Sequence, residues 1–232
     1  MSLSNKITQN IANYDSSGSV GSRLRAKRIT PLIAMIRKIH QKCGEVQIID
    51  IGGTRSYWNI LPRNILEDHN TTITIINLPG SDLPPNEAHF KFAYGDGCHL
   101  DQFADYFFHI AHANSVIEHV GDWPHMVRFA QEIQRLAPNL FVQTPYFWFP
   151  VEPHFMTPFF HWLPRPLRIS LIMRFALGNH TRSASVDAAA AKLERYRLLD
   201  QNMLQALFPK ATIQREKVAG LTKSLIAIQK QV

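Results

Sequence analysis

Five short apolar runs, each closed by glycine, proline or a small polar residue, succeed one another before residue 146. They are VQIIDIG (46–52), TTITIINLPG (71–80), HFKFAYGDG (89–97), DYFFHIAHANS (105–115) and APNLFVQTP (137–145). Runs of this length, rich in β-branched residues, suit strands buried on both faces, as in a parallel sheet. Helical spacing appears before and between them. Leu32, Ile33, Ile36 and Ile39 recur at helical intervals over 30–42, with Thr30-Pro31 as a helix start. Residues 122–137 repeat the pattern, with Asp122 as N-cap and Pro124 in the first turn. Strands linked by helices imply right-handed crossovers and a doubly wound α/β sheet.

In such sheets ligands bind beyond the carboxyl ends of the strands, where loops approach without breaking backbone pairing. Four strand ends carry residues suited to a nucleoside. Asp50-Ile51-Gly52-Gly53-Thr54 combines a carboxylate with glycines that let the backbone pass close to a ligand. Asn77-Leu78 places a short polar side chain within reach of ribose hydroxyls. In Gly95-Asp96-Gly97 a carboxylate can accept from an exocyclic amine. Asn114-Ser115-Val116-Ile117-Glu118-His119 turns off the fourth strand into the crevice.

Taken together and in this order, DIGGT, INL, GDG and HANSVIEHV resemble the consecutive motifs of class I S-adenosylmethionine-dependent methyltransferases. Intervals of 27, 19 and 18 residues separate Asp50, Asn77, Asp96 and Asn114. NSVIEHV is most similar to the ubiquinone/menaquinone or type 11 branch. The resemblance implies a Rossmann-like, doubly wound, seven-stranded, mostly parallel sheet with an antiparallel last strand. It implies S-adenosylmethionine as cofactor and S-adenosylhomocysteine as product. The implied cofactor residues are Asp50, Gly52, Gly53, Thr54, Asn77, Leu78, Asp96, Gly97, Asn114 and Ser115. The chain departs from the family pattern at Thr54 and Ser56, where glycines are usual, at Asn77, where an acid is usual, and at His109.

After Pro145 the composition changes. Eight of the chain's 24 aromatic residues fall within 146–162, and five prolines between 150 and 166 prevent a continuous helix. The expected division is a flexible arm or lid (1–29), a cofactor-binding core (30–145), an aromatic-rich helical cap insert (146–200), and a helix with a strand hairpin completing the core (201–232). Aromatic walls suit a flat or lipid-linked acceptor, and Arg165, Arg168 and Arg174 suit a phosphate or a membrane surface. The same aromatics equally suit a cap core or a homodimer interface.

The expected reaction is in-line methyl transfer to a small-molecule or lipid-linked acceptor. His119 and His154 are the candidate bases, since a neutral imidazole works near pH 7. A histidine after NSVIE equally serves to structure the start of a helix. H-E-x-x-H and C-x-x-C are both missing, so no metal is expected. The net charge of +7 admits an anionic partner, but N-P-P-Y is lacking after strand four and no RNA-binding module is evident, so a nucleic-acid substrate is not expected. Thr54, Asn77 and His109 keep open a non-catalytic scaffold. Two cysteines and no apolar leader point to a cytoplasmic protein, with peripheral membrane contact open.

Overall fold

A computed structural model describes residues 20–62 and 64–231, with side chains from Arg28 onward. The arm expected over 1–29 lies outside the described residues as far as residue 19. From Val20 the chain is already helical, as α1 (Val20–Cys43). That differs from the expected start at Thr30. Pro31 sits inside the helix and costs one backbone hydrogen bond, but Ile29, Leu32, Met35, Ile36 and Ile39 form one buried stripe across it. Burial of that stripe, at roughly 1.5–3 kcal/mol per large apolar side chain, outweighs the lost bond.

The core is a seven-stranded sheet in the order β3-β2-β1-β4-β5-β9-β8. Its strands are β1 (Val46–Ile51), β2 (Thr71–Asn77), β3 (Phe90–Tyr94), β4 (Ile110–Asn114), β5 (Asn139–Pro145), β8 (Thr212–Val218) and β9 (Leu221–Gln229). The first five pair in parallel, and β9 runs antiparallel between β5 and β8. The order reverses between β1 and β4, which is where such sheets open a crevice. β8 and β9 turn through Ala219 and Gly220, both at positive φ. β4 is shorter than the apolar run suggests. Tyr106 adopts φ 54°, and its N–H donates to the Arg135 carbonyl instead of to a strand.

Alternation along the strands gives each face its own core. Ile48, Ile73 and Ile75 pack against α1 and Trp58. Ile49, Ile51 and Ile76 pack, with Ala111 and Val142, against Phe129 and Ile133 of α3 (Trp123–Leu136). Asp122 caps α3 by accepting from His125 N–H, as expected. Between β1 and β2 the described residues form a 3-10 helix (Arg55–Ile60) and the short α2 (Ile65–Asp68).

The insert forms its own cluster. A small hairpin, β6 (Val151–Glu152) and β7 (Thr157–Pro158), precedes α4 (Arg165–Arg174) and α5 (Val186–Glu194). Phe155, Phe160, Ile172, Ala189 and Leu193 make the buried centre of this cap. α6 (Gln201–Leu207), capped by Asp200, returns the chain to the sheet. Among the described residues, no helix is long and apolar enough to cross a membrane.

Candidate functional site

The carboxyl ends of β3, β2, β1 and β4 lie side by side, so the four sequence motifs converge on one edge. Gly52 takes φ +70°, and a Cβ there would stand 2.8 Å from Val116 Cγ2. The glycine therefore lets the β1 loop touch the β4 loop. Thr54 caps the following 3-10 helix by accepting from Tyr57 N–H, which gives the third residue of the loop a structural use. The Asn77 amide donates to the Gly53 carbonyl at 3.0 Å and ties β2 to the same loop. Leu78 projects beyond it, largely exposed. Asp96 is exposed at the end of β3, where Oδ1 accepts from Cys98 N–H at 2.9 Å. Gly97 is fixed by packing, since a Cβ there would meet Ile51 and Phe129. A cleft of about 190 Å³ opens beside the first two loops, with Gly53, Thr54, Asn77, Asp82 and Phe92 in its walls.

Asp50, Asn114 and Ser115 also use their side chains internally. Asp50 is fully buried. Its Oδ2 accepts from Trp58 Nε1 at 2.8 Å and its Oδ1 from His112 Nδ1 at 2.7 Å. With the His112 proton on Nδ1, Nε2 is left to accept from the Tyr57 hydroxyl, 3.2 Å away. Asp50 therefore anchors the loop and does not face a ligand directly. Asn114 Oδ1 accepts from Arg28, whose guanidinium also binds both oxygens of Glu216. Ser115, at φ 55°, donates its hydroxyl to Gln143 on β5. Trp58, His112 and Arg28 were not legible as site residues, because nothing local marks a pairing partner 8, 62 or 86 positions away.

The two candidate bases do meet. The rings of His119 and His154 lie 4.9 Å apart, edge to face. His154 stacks on Tyr196 at 4.1 Å and pairs through Nδ1 with Glu152 Oε1 at 2.6 Å. Burial, and then the neighbouring His154, push the His119 imidazole below its ordinary value, so it is neutral near pH 7. Glu118, next to it, is 0% exposed. Its Oε2 accepts from Thr144 Oγ1 at 3.0 Å. Burial raises its carboxyl to about 7. Glu118, Glu152 and Tyr196 were missed in the sequence. The E-H pair at 118–119 and the E-P-H triplet at 152–154 were the available signals.

No protein-family model matches the chain, and no curated protein matches it. Solved structures do. The CurJ carbon methyltransferase superposes with a TM-score of 0.54 at 12% identity, over 97% of this chain and 57% of that one. Human N-acetylserotonin methyltransferase, solved in complex with S-adenosylmethionine, superposes with a TM-score of 0.51 at 11% identity, over 99% of this chain and 57% of that one. The chain thus spans little more than half of either structure. The strand order, the antiparallel β9 and these superpositions agree: the chain has the fold of the class I S-adenosylmethionine-dependent methyltransferases.

Proposed function

We propose that the protein is an S-adenosylmethionine-dependent methyltransferase acting on an apolar small-molecule or lipid-linked acceptor. One observation carries the reading. Four polar or glycine-bearing loops meet at the carboxyl ends of adjacent parallel strands, in a fold shared with a methyltransferase solved with this cofactor. The residues suit the group chemically. Gly52 and Gly53 bring backbone close to a ligand, Asn77 offers an amide beside the cleft, and exposed Leu78 supplies an apolar face for a base. Asp96 offers an exposed carboxylate to an amine. Asp50, Asn114 and Ser115 support the cofactor by fixing the loops. Bound there, S-adenosylmethionine would supply an electrophilic methyl group.

The chain's own share is positioning, which supplies roughly 7–11 kcal/mol in well-oriented transfers. The neutral imidazole of His119, 37% exposed beside His154, is suited to handling the proton of an acceptor hydroxyl or amine. The cap presents exposed Trp148, Phe159 and Trp162, with Trp162 in ring contact with each of the other two, a surface for an apolar acceptor or the membrane that carries it.

The test is transfer of radiolabelled methyl from S-adenosylmethionine to phenolic, quinol and polyprenyl-linked acceptors dispersed in detergent. Label in an organic-extractable product, absent with Asp96→Ala, supports the reading. Label in none of these classes, despite cofactor binding, overturns the acceptor assignment.

A further inference from the structure

The Glu118, His119 and His154 cluster contains a feature that proton transfer alone does not explain. Among the described residues, Glu118 Oε1 has no hydrogen-bond partner, although the residue is fully buried. Leaving a carboxylate oxygen buried and unpaired is costly, and such atoms call for a cation or a proton. Oε1 lies 3.9 Å from His119 Nε2. One donor atom from each of Glu118, His119 and His154 falls within 4.8 Å of the other two.

We propose that Glu118, His119 and His154 form the binding site of a divalent transition-metal ion, with one carboxylate oxygen and one nitrogen from each imidazole as ligands. The inference goes beyond the methyl-transfer reading, and metal binding itself does not depend on it.

The surroundings favour ligation over a loose polar contact. His154 Nδ1 is held by the buried carboxylate of Glu152, whose other oxygen accepts from Phe155 N–H. That bond places the proton on Nδ1 and leaves Nε2 with its lone pair. A carboxylate behind a ligating imidazole is the usual means of fixing tautomer and orientation at a metal. Tyr196 stacks on His154 and contacts His119 edge-on, bracing both rings. Thr144 holds Glu118 Oε2 and thereby directs Oε1 toward the histidines.

Donor type selects the ion. Two imidazoles and one carboxylate suit zinc, iron, cobalt or manganese better than magnesium, which prefers an all-oxygen shell. Bonds of about 2.0–2.1 Å to a tetrahedral ion place ligand atoms roughly 3.3 Å apart. Closing from within 4.8 Å to that spacing calls for small rotations of these side chains. Three protein ligands leave a position for water or an acceptor heteroatom. If the protein transfers methyl groups, an acceptor hydroxyl held there becomes more acidic, and in the metal-bound form this replaces proton uptake by His119.

The E-x-x-H-type motifs absent from the sequence describe sites built on one helix. This cluster draws on the turn after β4 and on the cap hairpin, so the E-H pair at 118–119 and the E-P-H triplet at 152–154 hint at its two halves but no single spacing joins them.

The experiment strips the full-length protein with a chelator and titrates it with Zn²⁺ by calorimetry and with Co²⁺ by visible absorption. The expected result is one ion per chain, with the intense ligand-field bands of a low-symmetry Co²⁺ site. Glu118→Gln and His119→Ala should each weaken binding at least tenfold, and Glu152→Gln by about 10- to 100-fold through His154. His119 is part-exposed, so its variant keeps the fold, which circular dichroism and the urea unfolding midpoint verify independently. Absence of one-to-one binding by the stripped wild type, or equal affinity in wild type and His119→Ala, overturns the proposal. Cofactor binding in chelator reports on the methyl-transfer reading regardless of either result.

Discussion

A Cβ built on Gly53 would stand 1.8 Å from Oδ2 of Asp50, closer than any two such atoms can approach. The second glycine of the first motif is therefore required by the buried carboxylate beneath it. Gly53→Ala must push the loop or the carboxylate aside, at about 1–3 kcal/mol for overpacking of this kind. Urea unfolding should register that loss, and calorimetry a loss of S-adenosylhomocysteine affinity of tenfold or more. Unchanged affinity would show that the loop does not hold the cofactor.

Trp58→Phe removes the indole N–H from Asp50 Oδ2 and leaves a buried carboxylate oxygen short of a donor. The expected cost is about 1–3 kcal/mol. Unfolding curves should show it as a lower midpoint with an unchanged slope. Because the same network positions the β1 loop, cofactor affinity should fall in parallel.

The strands and the loops that close them were legible because their signals are local. VQIIDIGG and TTITIINLPG announce β1 and β2, and Asp122 caps the helix expected of it. The start of α1 was not legible, because Thr30-Pro31 marks a helix start wherever tertiary burial does not override it. The extent of β4 was overread, since Phe107 and Phe108 supply apolar character to a turn that packs by ring contacts. In the site, His119 and His154 were found as residue types. Their meeting depends on how β6 and β7 fold the cap back over the β4 turn, which no spacing encodes.

His161 gives the cap a pH dependence. Its ring is buried, donating from Nε2 to the Phe147 carbonyl at 2.6 Å, and burial holds it below the ordinary histidine value of 6.5. The unfolded chain then takes up this proton first. Its contribution to stability is present above 6.5 and is lost as pH falls toward the folded value. Between roughly pH 7 and pH 5 the wild type should lose stability more steeply than His161→Gln, which keeps a donor for Phe147 but does not titrate. Parallel curves would remove His161 from the account.

Trp148 is 56% exposed and lies 6.0 Å, ring to ring, from Trp162. Replacing both with Ser should raise KM for an apolar acceptor several-fold and leave S-adenosylhomocysteine affinity within twofold. Loss of cofactor binding instead would place these rings in the core of the fold.

The convergent loops are proposed to bind S-adenosylmethionine. Calorimetric titration of the purified protein with S-adenosylhomocysteine, alongside a folded Asp96→Ala variant, tests it most directly. One-to-one binding by the wild type is expected, weakened at least tenfold, or about 1.4 kcal/mol, in the variant. A wild type that binds neither S-adenosylhomocysteine nor S-adenosylmethionine would contradict it and leave a methyltransferase fold used as a scaffold.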